Sequence, residues 1–166
     1  MKSKICLGFD PGLLNTGWAA VCRNNRGHFN LIESGVITTD SKDKDAKRTL
    51  QIHTAVTECI EIHKPDLVAI ERVFFNHNPS SCLSTAGVSY ICQLAAEQAG
   101  IESATFTPQQ VKAAVGCGGR ASKQAVKMFV TKLTRTQISS NSHAADAIAT
   151  AIAGLLRMQS VKERIQ

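Results

Sequence analysis

Two short apolar runs in this chain end on a lone carboxylate, and they constrain the fold more than any other feature. Ile5-Cys6-Leu7-Gly8-Phe9 runs into Asp10 and Pro11-Gly12, after which a second apolar stretch reaches Val21. That pattern is a buried strand, a tight turn and an antiparallel partner strand. Asp66-Leu67-Val68-Ala69-Ile70-Glu71 repeats the device further along. Between the two lies a helical stretch, and a helix joining strands of one sheet makes them parallel through a right-handed crossover. Asp10 and Glu71 are therefore expected as neighbours at one end of the sheet. A carboxylate leaving an apolar strand needs a hydrogen-bond partner or a cation. Capping of its own turn is the alternative use of Asp10.

The rest of the chain fits around these strands. A polar turn at Arg23 to Gly27 leads into a strand from Phe29 to Ile37, so three antiparallel strands open the domain. Asp40 to Arg48 is a mixed charge run that reads as a solvated helix start. Ile52, Val56, Cys59 and Ile60 then form one helical stripe that Pro65 stops. After Glu71 comes a polar loop, Arg72 to Pro79, carrying the adjacent aromatics Phe74 and Phe75; paired aromatics are usually core, but beside a carboxylate on a polar loop at least one is expected to face outward. A helix from about Ser81 to Ala99, closed by Gly100, precedes a short strand over Ile101 to Phe106. Thr107-Pro108-Gln109-Gln110 is a capping box with proline at the first helical position. The glycine-rich segment Gly116 to Lys123 enters a helix striped by Val126, Phe129, Val130 and Leu133. The last element, a helix, runs from Asn141 to Leu156. The pattern predicts an α/β fold: one domain over residues 1–157 with a mixed five-stranded sheet flanked by helices, then a short polar tail over 158–166.

Composition excludes several classes. With 43% hydrophobic and 19% charged residues in 166, the chain has the balance of a globular protein, and no apolar run reaches the roughly 18 residues of a membrane span. The N-terminal apolar run is too short for a secretion signal, so a cytoplasmic protein is expected. Six cysteines form no C-x-x-C pair and read as buried free thiols. A formal charge of +6 points toward a polyanionic partner.

The charges that matter cluster. Lys112, Arg120, Lys123 and Lys127 surround the glycine turn with no acid near them in sequence. Backbone amides, a helix start and unpaired cations make a phosphate-binding surface, a plain solvated basic face being the alternative. His143 and Asp146 sit three apart at the start of the last helix. Asp10, Glu71 and Asp146 together make an oxygen-rich set suited to divalent metal rather than structural zinc. Two such ions about 4 Å apart can activate water and stabilise a leaving phosphodiester oxygen. Beside a phosphate-binding face, that implies a nuclease.

These residues resemble a known family. G-F-D-P-G-x-x-x-T-G at 8–17, A-I-E-R-V-F-F-N-H-N at 69–78, Q-V-K at 110–112, G-R-A-S-K at 119–123 and H-A-A-D-A-I-A at 143–149 are similar to the RuvC family of bacterial Holliday junction resolvases. The resemblance implies a ribonuclease H-like fold, a homodimer, and Mg²⁺-dependent nicking of opposed strands of a four-way DNA junction during recombination and repair. It implies two Mg²⁺ per site, with Mn²⁺ also effective, and the RuvA–RuvB branch-migration complex as a candidate partner. Asp10, Glu71 and Asp146 match the family's catalytic acids, Phe74 its junction-contacting aromatic, and Lys112 and Lys123 its basic positions. His143 falls on the fourth catalytic position, where other members carry Asp; as a catalytic residue and metal ligand it favours Mn²⁺. The chain departs from the pattern at Thr85 to Tyr90, where the family usually reads L-G-Q-A-R-G. Two rival readings are a phosphate-loop ATPase of the sugar-kinase and actin type, which needs two such domains, and a junction-binding module without catalysis, against which the intact acids speak.

Overall fold

The computed structural model describes residues 3–72, 79–138 and 142–163, with 79–81 and 161–163 described by backbone alone. Strands β1 (Lys4–Asp10), β2 (Asn15–Arg23) and β3 (Phe29–Thr38) run antiparallel in succession. Helix α1 (Asp45–His63) carries the chain back to β4 (Leu67–Glu71), and α2 (Pro79–Gln98) carries it to β5 (Ser103–Phe106). Both crossovers make parallel pairs, giving one five-stranded sheet of order β3-β2-β1-β4-β5. Helices α3 (Pro108–Ala114), α4 (Lys123–Thr134) and α5 (Ser142–Glu163) complete the chain.

Strand alternation divides the core in two. Leu7, Phe9, Val68 and Ile70 point to the face covered by α1 and α2, against Ile52, Val56, Val88 and Cys92. Cys6, Ala19, Val21, Leu67 and Ala69 point to the other face, against Ile148, Ile152 and the alanines of α5. Each fully buried large side chain such as Phe9, Ile52 or Ile148 contributes about 1.5–3 kcal/mol. The expected helix stripes are the buried ones: Ile52, Val56, Cys59 and Ile60 on α1, and Val126 and Val130 on α4, with Phe129 and Leu133 packed beside them. The capping box on α3 is formed in both directions.

α5 lies unusually close to the sheet. A Cβ added at Gly8 would sit 2.3 Å from the Ala147 carbonyl, and one at Gly17 2.2 Å from that of His143. Small residues on both sides permit this contact, since Ala144, Ala145, Ala147, Ala149 and Ala151 are all buried. The consequence is functional: the N-terminal end of α5 is seated on the strand end that carries Asp10.

Three readings change. The charge run before α1 is not wholly solvated, because Arg48 is buried: its Nε donates to Thr39 Oγ1 at 3.0 Å and its guanidinium pairs with Asp45. Helix α5 continues to Glu163, past the expected boundary at 157, and Met158 packs on the core. α2 begins at Pro79, two residues before the expected start. All six cysteines are free, and only Cys22 among them is not fully buried. No helix among the described residues is long and apolar enough to cross a membrane.

Candidate active site

Asp10 is the last residue of β1 and Glu71 the last of β4. The parallel register pairs Phe9 with Ile70, so the two carboxylates leave adjacent strands at the same end of the sheet. Asp146 reaches the same place from α5, which the glycine contacts hold against β1 and β2. The three acids feel one another. Burial pushes the Glu71 carboxyl up to about 7, and the charges of Asp10 and Asp146 push the same way against the pull of Lys123 and Lys112. Asp10 is raised by burial, an effect opposed by its hydrogen bond to His143 and reinforced by Asp146. Asp146 is raised by burial and drawn back chiefly by Lys123.

His143 contributes a contact that sequence reasoning did not assign. Its Nδ1 lies 2.7 Å from Asp10 Oδ2, linking α5 to β1. An ionised carboxylate can only accept, so in this pairing Nδ1 carries the proton and donates it to Asp10 Oδ2. The shared helix line of His143 and Asp146 was legible in sequence; the cross-element bond was not, because it depends on how closely α5 docks.

The basic residues separate into two groups. Lys123 Nζ is 3.5 Å from Asp146 Oδ2. Lys112 donates to the Gly119 carbonyl at 3.5 Å and acts electrostatically on Glu71 and Asp146. The expectation of a basic cluster without acids nearby is thus corrected for these two: the fold of α3 and α4 beside α5 turns them toward the carboxylates. Arg120 is exposed and Lys127 half-buried, and the cations that act most strongly on the three acids are Lys123 and Lys112. Phe74 and Phe75 lie outside the described residues.

Chemically, this is a set of hard oxygen donors within electrostatic reach of one another, each held back from ionising by burial. Such a set is completed by a divalent cation, which removes the mutual repulsion. Among the described residues no three acidic, histidine or cysteine side chains already converge on a single ion position; His143 and Lys123 instead each engage one carboxylate oxygen.

A five-stranded mixed sheet with this strand order, acids at the ends of β1 and β4 and a third on the last helix, is the ribonuclease H-like nuclease scaffold. The structure of Thermus thermophilus RuvC superposes with a TM-score of 0.86 at 26% identity, covering 94% of this chain and 96% of that one. The structure of T. thermophilus RuvC in complex with Holliday junction substrate matches with a TM-score of 0.85 at 24% identity, over 94% and 96% of the two chains. A crossover junction endodeoxyribonuclease RuvC from Saccharopolyspora erythraea is 40% identical over 152 residues, 91% of this chain and 76% of that protein. The model of the family "Crossover junction endodeoxyribonuclease RuvC" matches residues 6–154. The chain belongs to the RuvC family and is an endodeoxyribonuclease.

Proposed function

We propose that this protein resolves four-way DNA junctions by divalent-metal-dependent hydrolysis of a phosphodiester at Asp10, Glu71, Asp146 and His143. The observation that carries the reading is the electrostatic coupling of three half-buried acids from β1, β4 and α5, with Glu71 raised to about 7 by burial and the neighbouring carboxylates and His143 bonded to Asp10. Asp10, Glu71 and Asp146 would hold the metal, with His143 as a further ligand or its close neighbour. When bound, the metal supplies charge neutralisation and a more acidic water.

The chain's own residues do the rest. Lys123 and Lys112 draw the scissile phosphate toward the acids, and their ammonium groups offset the charge that builds on its oxygens. Asp10 fixes the His143 ring through Nδ1, which leaves Nε2 to face the metal as a ligand or to hold the attacking water beside it. The bond formed is water oxygen to phosphorus; the bond broken is phosphorus to the sugar oxygen, which leaves with a proton from solvent. Arg120 and Lys127 would contact phosphates further along the arm, and Phe74 would stack on a base at the crossover, a contact worth about 1–3 kcal/mol.

Two opposed cuts call for two copies. An apolar face on α2 supports a homodimer: Leu83 and Tyr90 are each 70% exposed and Leu94 53%, and the three recur seven and four apart along one side of the helix. The functional test is incubation of the protein with a synthetic four-way junction and with linear duplex, in Mg²⁺ and in Mn²⁺. Paired metal-dependent nicks in the junction alone, faster in Mn²⁺ because His143 offers nitrogen, are expected. Equal cutting of both substrates, or cutting in chelator, refutes the proposal.

A further inference from the structure

A cleft of about 360 Å³ opens beside His143. Its walls are the β1–β2 turn from Gly12 to Asn15, Arg48 of α1, and Ser84 and Thr85 of α2. None of these except His143 belongs to the catalytic set, yet the cleft shares that residue with it. The volume lies within the range of small-molecule sites and is more than a phosphate group alone would fill.

Arg48 makes the cleft selective. Its side chain is 10% exposed, whereas that of its partner Asp45 is 74% exposed. Nε donates to Thr39 Oγ1 at 3.0 Å and Nη1 to Asp45 Oδ1 at 3.2 Å. A guanidinium has five N–H donors, so these two bonds orient the group without exhausting it. A buried cation whose counter-charge sits in solvent leaves a positive, donor-rich wall. Leu13 and Leu14 supply apolar surface next to it. A fully charged phosphate suits the arginine but not the leucines; a flat base suits both, with its face on the leucines and its acceptor edge on the arginine.

We infer that this cleft receives a nucleobase of the cut strand next to the scissile phosphate, and that Arg48 reads its acceptor edge. The inference rests on the junction-resolving function proposed above and adds a residue that determines where the enzyme cuts. Guanine, with O6 and N7, and thymine, with O4, present carbonyl acceptors to a guanidinium; adenine and cytosine present an amino donor at the equivalent exocyclic position.

The test uses the full chain in single-turnover cleavage of junctions that differ only in the nucleotide on either side of the cut. Each position carries in turn the four bases, an abasic residue, and a normal base joined through a neutral methylphosphonate. The enzymes are wild type, Arg48→Gln, and Ser84→Ile, which adds bulk on the α2 wall of the cleft and replaces neither Thr39 nor Asp45, the partners of Arg48. At one of the two positions, wild type should cut guanine or thymine about tenfold faster than adenine or cytosine, with the abasic junction slowest. Both variants should flatten the series to the abasic rate. The inference is overturned if wild type cuts all bases and the abasic junction equally, if the methylphosphonate slows cutting while base loss does not, or if Ser84→Ile keeps the full base preference. Should Arg48→Gln melt early by circular dichroism, the wild-type series and Ser84→Ile still decide. Failure of wild type to cut any junction would instead overturn the function proposed above.

Discussion

Glu71→Gln should make the metal-free protein more stable while destroying its activity. The Glu71 carboxyl is raised from 4.5 to about 7, by burial first and by Asp10 and Asp146 next. In the unfolded chain it ionises near its ordinary value, so between about pH 4.5 and 7 the unfolded state holds fewer protons than the native state. Native stability therefore falls as pH rises through that window, the opposite of a salt-bridged carboxylate. Each pH unit of displacement is worth about 1.4 kcal/mol, which makes the cost of ionised Glu71 about 3 kcal/mol at pH 8 and under about 1 kcal/mol at pH 5. Gln keeps the shape and removes the charge. In a domain of this size about 1 kcal/mol moves Tm by roughly 2–4 °C, so the variant should melt about 6–12 °C above wild type at pH 8 in EDTA, and nearly with it at pH 5. Adding Mg²⁺ or Mn²⁺ should raise the wild-type Tm more than that of the variant, in which Gln has already removed the Glu71 share of the repulsion and only that between Asp10 and Asp146 remains. Thermal melts by circular dichroism at the two pH values, with and without metal, measure all of this. A variant less stable than wild type at pH 8 in EDTA would refute the electrostatic account of the site.

Asp10→Asn should abolish junction cleavage while junction binding, measured by gel shift in Ca²⁺, persists or tightens, because a negative charge beside phosphate is removed. His143→Ala should lose most activity, whereas His143→Asp should retain a substantial part with its preference moved from Mn²⁺ toward Mg²⁺; cleavage rates in each metal across pH 6 to 9 check this, and near-wild-type turnover by the alanine variant would take His143 out of the site. Lys112→Ala and Lys123→Ala should weaken junction affinity and each reduce its salt slope by about one; unchanged affinity with slower turnover would place their effect in the transition state. Gly17→Ala should cost about 1–3 kcal/mol and a larger share of activity than of stability, since the new methyl meets the His143 carbonyl at 2.2 Å and displaces the end of α5; unaltered cleavage would show that the seating of α5 does not matter.

Much of this was open to reading in the chain itself. An apolar run that stops on an acid announces a strand end with a polar task, and doing so twice, with a helix between, places both acids at one end of a parallel pair. Ile52, Val56, Cys59 and Ile60 are periodic, Thr107 to Gln110 are a local hydrogen-bonding motif, and both kinds of signal depend on neighbours a few residues apart. The motifs around Asp10, Glu71, Lys123 and Asp146 carried the family resemblance for the same reason. What only the tertiary structure decided are contacts between groups far apart in sequence, each governed by how closely two elements dock. Gly8 and Gly17 look like ordinary glycines until α5 lies on them, and that approach brings His143 onto Asp10. Lys112 and Lys123 look unpaired until α3 and α4 pack beside α5 and face them to the acids. Arg48 sits in a charge run that local composition assigns to solvent, yet it is buried and its Nε donates to Thr39, just past the far end of β3. Periodicity encodes which face of an element turns inward; the distance at which two inward faces meet is a property of all the side chains between them, and no single stretch of sequence carries it.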